Sequence, residues 1–271
     1  MRQRNFLLSI SAILCGVLTL SGEPSQAAAQ TPGGKKGIRN ADQRSLHVPA
    51  GTVLPVRLNG GFSSKNARAG QAISARIMQD VPLPGGGKIP AGAKAMGKIE
   101  SVTAVASSGA RISFRFDQLE VHHRRSAMVS NLRALASALE VDFAQIPERS
   151  PDFGTPYHWA TTQQVGGDER YGVGGPVTDQ GSNTVGEGVW GGVLVHVRAQ
   201  PGTKCRGALD AEDRLQALWI FSAEACGVYG MSGVTVAHAG RTEPVGEIVL
   251  ASERGEIKVR SGSGMLLRVI R

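Results

Sequence analysis

Cysteine, aromatic residues and long apolar runs are all scarce in this chain, and each shortage narrows what it can be. The three cysteines, Cys15, Cys205 and Cys226, form no Cys-x-x-Cys pair, which argues against a thioredoxin-type redox site. The longest apolar run, Phe6 to Leu20, is about 15 residues, short of the roughly 20 that a helix needs to cross the hydrocarbon core, and nothing resembling a second span follows. No G-x-S-x-G elbow, H-E-x-x-H pair or P-loop is present. Basic side chains are scattered, with Arg124-Arg125 the only tight pair beyond the first 44 residues, so the contiguous footprint of nucleic-acid recognition is missing.

What is present at the start reads as an export signal. Arg2 and Arg4 precede the apolar run, and Pro24 and the small residues Ala27-Ala28-Ala29 follow it, the order of a cleavable signal peptide over residues 1–29. Residues 30–44, with Pro32-Gly33-Gly34-Lys35-Lys36-Gly37, hold almost nothing apolar and read as a flexible leader. Residues 45–271 then form a single β-rich domain, periplasmic or secreted. The formal charge is +8, and +7 once residues 1–29 are removed, which favours an anionic surface polymer or an envelope protein complex as partner and names neither.

Thirty-six glycines and few aromatics favour many short strands joined by tight turns, hence a mainly β, barrel-like or sandwich core. Val53–Leu58 alternates with one fully apolar face, and Ile112, Phe114 and Phe116 alternate with Arg111, Ser113, Arg115 and Asp117. Further strands are expected at 73–77, 98–106, 189–199, 215–223, 234–239, 245–251, 256–260 and 265–270. Prolines 82, 84 and 90 place the short piece between the second and third strands at an edge. The segments 50–58 and 262–269 are alike, each a glycine-containing turn before an apolar strand with a late arginine, so first and last strands are expected in one sheet. One helix is expected over Asn131–Asp142, where Leu132, Leu135, Ala136 and Leu139 recur at three- and four-residue spacing and form a stripe to pack on the sheet.

Residues 145–188 change character. Their prolines and glycines read as a long inserted loop region, and loops on a rigid scaffold commonly carry recognition. Tyr157, His158, Trp159 and Tyr171 are its densest aromatic material and the candidate binding residues, with pinning of the loop to the core as the ordinary alternative.

The stretch from Val48 to Gly97 carries Pro49-Ala50-Gly51-Thr52, then Asp80-Val81, then Ile89-Pro90-Ala91-Gly92-Ala93 and Gly97. In that order it resembles the β domain of VirB10/TrbI-type conjugation and secretion-channel proteins. The resemblance covers about a fifth of the chain and implies a periplasmic barrel domain in an envelope assembly. It does not extend to that family's retained membrane helix or proline-rich stalk. The C-terminal half, with 216–221 and 225–230, resembles exported proteins of acidobacterial type and brings no catalytic residue.

Cys205 and Cys226, the two cysteines left after signal cleavage, are expected to form one disulfide closing a loop of about 20 residues. The adjacent pair His122-His123 reads as surface, and neither a metal nor a cofactor is implied. Function therefore reads as non-catalytic envelope-associated binding or structure, with enzymatic activity left open. The alternative is a hydrolase of an envelope or extracellular glycan, with Asp210 and Asp213 as carboxylates and Trp219 as a sugar-stacking residue.

Overall fold

The computed structural model describes residues 47–105, 109–147, 160–197, 214–237 and 245–271, which belong to one compact unit, Arg44–Arg271. Residues 1–44, expected to be a signal peptide and a leader, lie outside the described residues. In chain order the strands are β1 Val53–Leu58, β2 Phe62–Ser63, β3 Ala72–Ile77, β4 Val81–Pro82, β5 Lys88–Ile89, β6 Lys94–Val105, β7 Gly109–Val121, β8 Arg124–Ala127 and β9 Ser130–Ala136. After the helix α1 (Ala138–Phe143) come β10 Thr161–Gln163, β11 Glu169–Tyr171, β12 Pro176–Thr178, β13 Thr184–Val189, β14 Gly192–His196 and β15 Leu215–Ala217. The last are β16 Gly227–Tyr229, β17 Val234–Val236, β18 Ile248–Ser252, β19 Lys258–Val259 and β20 Gly264–Val269.

Ten strands make the main sheet, in the order β16-β9-β20-β1-β3-β6-β7-β18-β17, with β8 paired to β7. Nine of them turn through 319°, so β17 and β16 meet and the sheet nearly closes into a barrel. The first and last strands pair directly and antiparallel, Val53 opposite Arg268 and Arg57 opposite Gly264, as their sequence likeness implies. Alternation explains the interior. Leu54, Ile77, Ile99, Phe114 and Leu132 point inward and are fully or almost fully buried, and Phe62, Phe114 and Phe116 meet edge to face at centroid distances of 5.3 and 6.1 Å.

The proline-rich piece after β3 forms a separate two-stranded ribbon, β4 with β5. Asp80 fixes its return, accepting from Lys88 Nζ at 2.5 Å and from the Ala91 amide at 2.8 Å. The Lys88 hydrogen bond holds the Asp80 carboxyl below its usual value, followed by the Ala91 amide. A depressed carboxyl contributes stability above its unfolded pKa of 3.8, and that contribution is lost as pH falls through the folded value.

A second sheet, β10-β11-β12-β13-β14-β15, covers the outside of β9, β20 and β1. Val53, Ala134 and Leu266 from the outer barrel face pack there with Val177, Val185, Val193 and Val195. Thus β1 is buried on both faces, which its sequence pattern does not announce. Within residues 160–188 the strands β10 to β13 form a meander; Gly166, Gly167, Gly172 and Gly174 lie between strands, whereas Gly186 and Gly188 lie within β13.

The helix expected over Asn131–Asp142 is corrected. Residues Ser130–Ala136 are a fully buried strand, and only Ala138–Phe143 is helical, capped by Ser137, whose hydroxyl accepts from the Glu140 amide at 3.2 Å. A β-bulge explains the misleading period. Opposite Leu266 and Leu267 the β9 register steps from Ala134 to Leu132, leaving Arg133 as the extra residue. Leu132 and Leu135 both face inward across that bulge, a three-residue spacing that imitates a helix. Leu139 does not join the core and is 61% exposed.

Arg133 is turned into the space between barrel and second sheet with no solvent exposure, where its Nη2 donates to the Ala223 carbonyl at 3.1 Å. Burial lowers its pKa to about 10, with Tyr229 and Glu224 acting against the shift and Arg268 with it. Because the folded value lies below the unfolded one, the penalty is fully present below pH 10 and relaxes only as pH rises through that range. At neutral pH it amounts to roughly 3 kcal/mol. Arg133→Met, which keeps bulk and removes the charge, is expected to stay within about 1–2 kcal/mol of the parent, whereas Arg133→Ala loses roughly 3 kcal/mol to the cavity. Denaturant midpoints check this, and equal losses in both variants would show that the charge itself holds the layers together.

The expected Cys205–Cys226 disulfide has one end within the described residues: Cys226 is disulfide-bonded, and Cys205 lies outside them. No two sulfur atoms at bonding distance occur among the described residues, where Cys226 is the one cysteine and Cys205 is not included. Cys226 has an interaction of its own and is not a free thiol.

Candidate binding surface

The sequence-named residues do not assemble into one site. Tyr157, His158 and Trp159 lie outside the described residues, as do Asp210 and Asp213. Tyr171, on β11, is exposed, and its hydroxyl donates to Glu169 Oε2 at 2.5 Å. Trp219 is corrected as a stacking platform. It is buried, with a φ of 55°, in the turn that ends β15 early, and its amide donates to Gln79 Oε1. Asp168 is likewise structural, accepting from the buried Ala223 amide at 2.6 Å. His122 and His123 occupy the two-residue turn between Val121 and Arg124, both with positive φ and both exposed.

What the fold does bring together comes from strand register. On the outer face left uncovered by the second sheet, Arg57 of β1 stands opposite Arg76 of β3, Arg76 opposite Lys94 of β6, Lys94 opposite Glu120 of β7, and Glu120 opposite Arg125 of β8. Four cations and one carboxylate thus form a single lateral row across five strands. Glu120 sits between Lys94, at 3.9 Å, and Arg125, at 3.1 Å, while Arg57 reaches Asp142 of α1 at 3.6 Å. Arg76 is exposed between two other cations. No single stretch of sequence signals this row, because its members are 18 to 26 residues apart along most of its length and align only when the hairpins are in register.

A second cluster of charges is satisfied internally. Arg115 donates through Nε to Glu100 at 2.6 Å, with Lys98 at 3.6 Å, beside a cleft of about 300 Å³ that Glu247 and Arg271 also line. The Arg115 hydrogen bond lowers the Glu100 pKa and, reciprocally, raises that of Arg115. Ser113 in turn donates to Glu247 at 2.8 Å. These groups bind one another and form no cation row.

Large apolar side chains are exposed at one end of the second sheet. Leu139, Phe143 and Ile146 follow one side of α1 and its continuation, and Trp190 is 72% exposed at the turn between β13 and β14. The single strand expected over 189–199 is instead a turn and a strand: β13 ends at Val189 and β14 runs Gly192–His196. The Trp190-Gly191-Gly192 order was the available turn signal.

Among the described residues no group of three or more His, Cys, Asp or Glu side chains is placed to hold a metal, and no helix is long and apolar enough to cross a membrane. No family model, no curated protein and no solved structure matches the chain.

Proposed function

We propose that this is a non-catalytic binding protein of the cell envelope, periplasmic or secreted, which holds an anionic surface polymer against the outer face of its near-barrel sheet. The observation that carries this reading is the row Arg57, Arg76, Lys94, Glu120 and Arg125. Like charges directly opposite one another destabilise a sheet, and here three cations stand opposite in successive strands. An anion laid across them removes that repulsion, so the arrangement opposes folding in the free protein and favours the complex. Neighbouring strands are roughly 4.8 Å apart, which makes the row about 19 Å long and suits a linear polymer lying across the strands better than one small anion. The overall charge of +8 acts in the same sense at longer range.

Alginate, a linear polyuronate, and dextran, a neutral glycan, are suitable probes. The protein is expected to bind alginate with an affinity that falls steeply with salt, and to ignore dextran. Combining Arg76→Gln, Lys94→Gln and Arg125→Gln is expected to weaken alginate binding by about tenfold or more. Arg76→Gln alone should raise Tm by about 1–3 °C at low salt, because it relieves two cross-strand repulsions. Alginate affinity unchanged by the triple substitution would remove the row from the proposal. An Arg76→Gln protein that melts earlier than the parent would contradict the repulsion on which it rests.

A further inference from the structure

We propose that the cleft beneath Trp190 is a saccharide subsite, in which one pyranose ring of a β-linked glycan stacks on the Trp190 indole while Gln164 and Arg170 bind its hydroxyls. This goes beyond the charge-based reading and rests on different residues. The cleft, about 220 Å³, is lined by Trp190, Arg170, Gln164 and Gln145 and floored by Val189 and Ile220. It is smaller than the roughly 300–1,000 Å³ of sites for drug-sized ligands and suits a single ring of a longer chain.

Each lining group has the chemistry that a sugar needs. A pyranose with equatorial hydroxyls has apolar C–H faces and a rim of hydroxyls that both donate and accept. The indole offers a broad apolar face and is mostly exposed, in a molecule whose other described tryptophan, Trp219, is buried. Gln164 is only 4% exposed, yet its side-chain oxygen has no hydrogen-bond partner among the described residues. A buried acceptor without a donor is costly, and a sugar hydroxyl is a donor of the right kind. Arg170, which reaches the Gly192 carbonyl through Nη1 at 3.5 Å, carries only donors and complements the hydroxyls as acceptors.

The platform is also fixed in place. Val189 pairs with Gly192, so Trp190 and Gly191 are the whole turn, and Gly191 supplies its positive φ of 83°. Gly192 is pressed against the Trp219 backbone and the Gln79 amide so closely that an added Cβ would lie 2.5 Å from each. Gln79 bonds both neighbours, donating to the Val193 carbonyl and accepting from the Trp219 amide, each at 2.8 Å. A stacking residue on so short and anchored a turn loses little freedom on binding.

The test uses the full chain with two neutral oligosaccharides, cellohexaose and chitohexaose, so that ion pairing plays no part. Saturable binding of at least one, by calorimetry and by indole fluorescence, is expected. Trp190→Ala should weaken it by about tenfold or more without lowering Tm, and Trp190→Phe, which keeps a stacking face, should stay within roughly threefold of the parent. The triple substitution in the cation row should leave this binding unchanged, which separates failure of one site from failure of the other. If the parent binds neither sugar, or if Trp190→Ala binds as well as the parent, the subsite is overturned.

Discussion

Gly97→Ala is expected to destabilise the protein by about 3 kcal/mol or more, lowering Tm by roughly 6–12 °C for a domain of this size. The reason is space. Gly97 sits at the bulge where the β6 and β7 register shifts, and a Cβ built there would lie 1.8 Å from the Arg115 carbonyl oxygen and 2.8 Å from the Phe116 Cα. Both are backbone atoms of the paired strand, so no side-chain rotation relieves the clash. The strands must part next to Phe114 and Phe116, which fill the barrel interior. Gly60→Ala is the matched control. Its added Cβ would meet nothing within 4 Å and its φ is not in the left-handed region, so its Tm should stay within about 2 °C of the parent. Equal behaviour of the two variants, measured by calorimetry, would mean that the bulge is not where the fold places it.

Gln79→Ala is expected to cost roughly 3 kcal/mol, and to loosen the second sheet before the barrel. Gln79 is buried and bridges the end of β3 to two backbone groups of the second layer, the Val193 carbonyl and the Trp219 amide. Truncation leaves the Trp219 amide buried without an acceptor, worth about 1–3 kcal/mol, and opens a cavity, while the Val193 carbonyl keeps the Leu218 amide at 3.1 Å. Amide hydrogen exchange should register the loss as faster exchange over 189–196 and 218–222, with β6 and β7 still protected. Uniform acceleration across both sheets would show instead that the two layers unfold as one unit. The same variant should impair saccharide binding at Trp190, because Gln79 anchors the turn that carries it.

Most barrel strands were legible in the sequence because their alternation is undisturbed. Val53–Leu58 and the run around Phe114 and Phe116 have one strongly apolar face, and the likeness of 50–58 to 262–269 anticipated the β1–β20 pairing. Legibility failed where a second layer or a bulge alters the period. Ser130–Ala136 imitates a helix because the extra residue Arg133 places Leu132 and Leu135 on the same side. The short strands β10 to β13 were read as loop because glycine and proline dominate their turns and each strand is only three to six residues long. The cation row was invisible for a different reason. It is a property of register between hairpins, whereas charge along any one strand is unremarkable. Trp190 was hidden inside what looked like one long strand, and its exposure depends on the turn that Gly191 permits.

Amine-reactive labelling of the protein with and without saturating alginate, read by peptide mass spectrometry, tests the polymer-binding account most directly. Lys94 lies in the cation row, whereas Lys65 and Lys258 lie on the β2–β19 side of the molecule and serve as internal references. Labelling of Lys94 is expected to fall by about threefold or more on saturation, with Lys65 and Lys258 nearly unchanged. Uniform protection of all three, or undiminished labelling of Lys94 in protein that has bound alginate, would contradict the claim that the row is the polymer-binding surface.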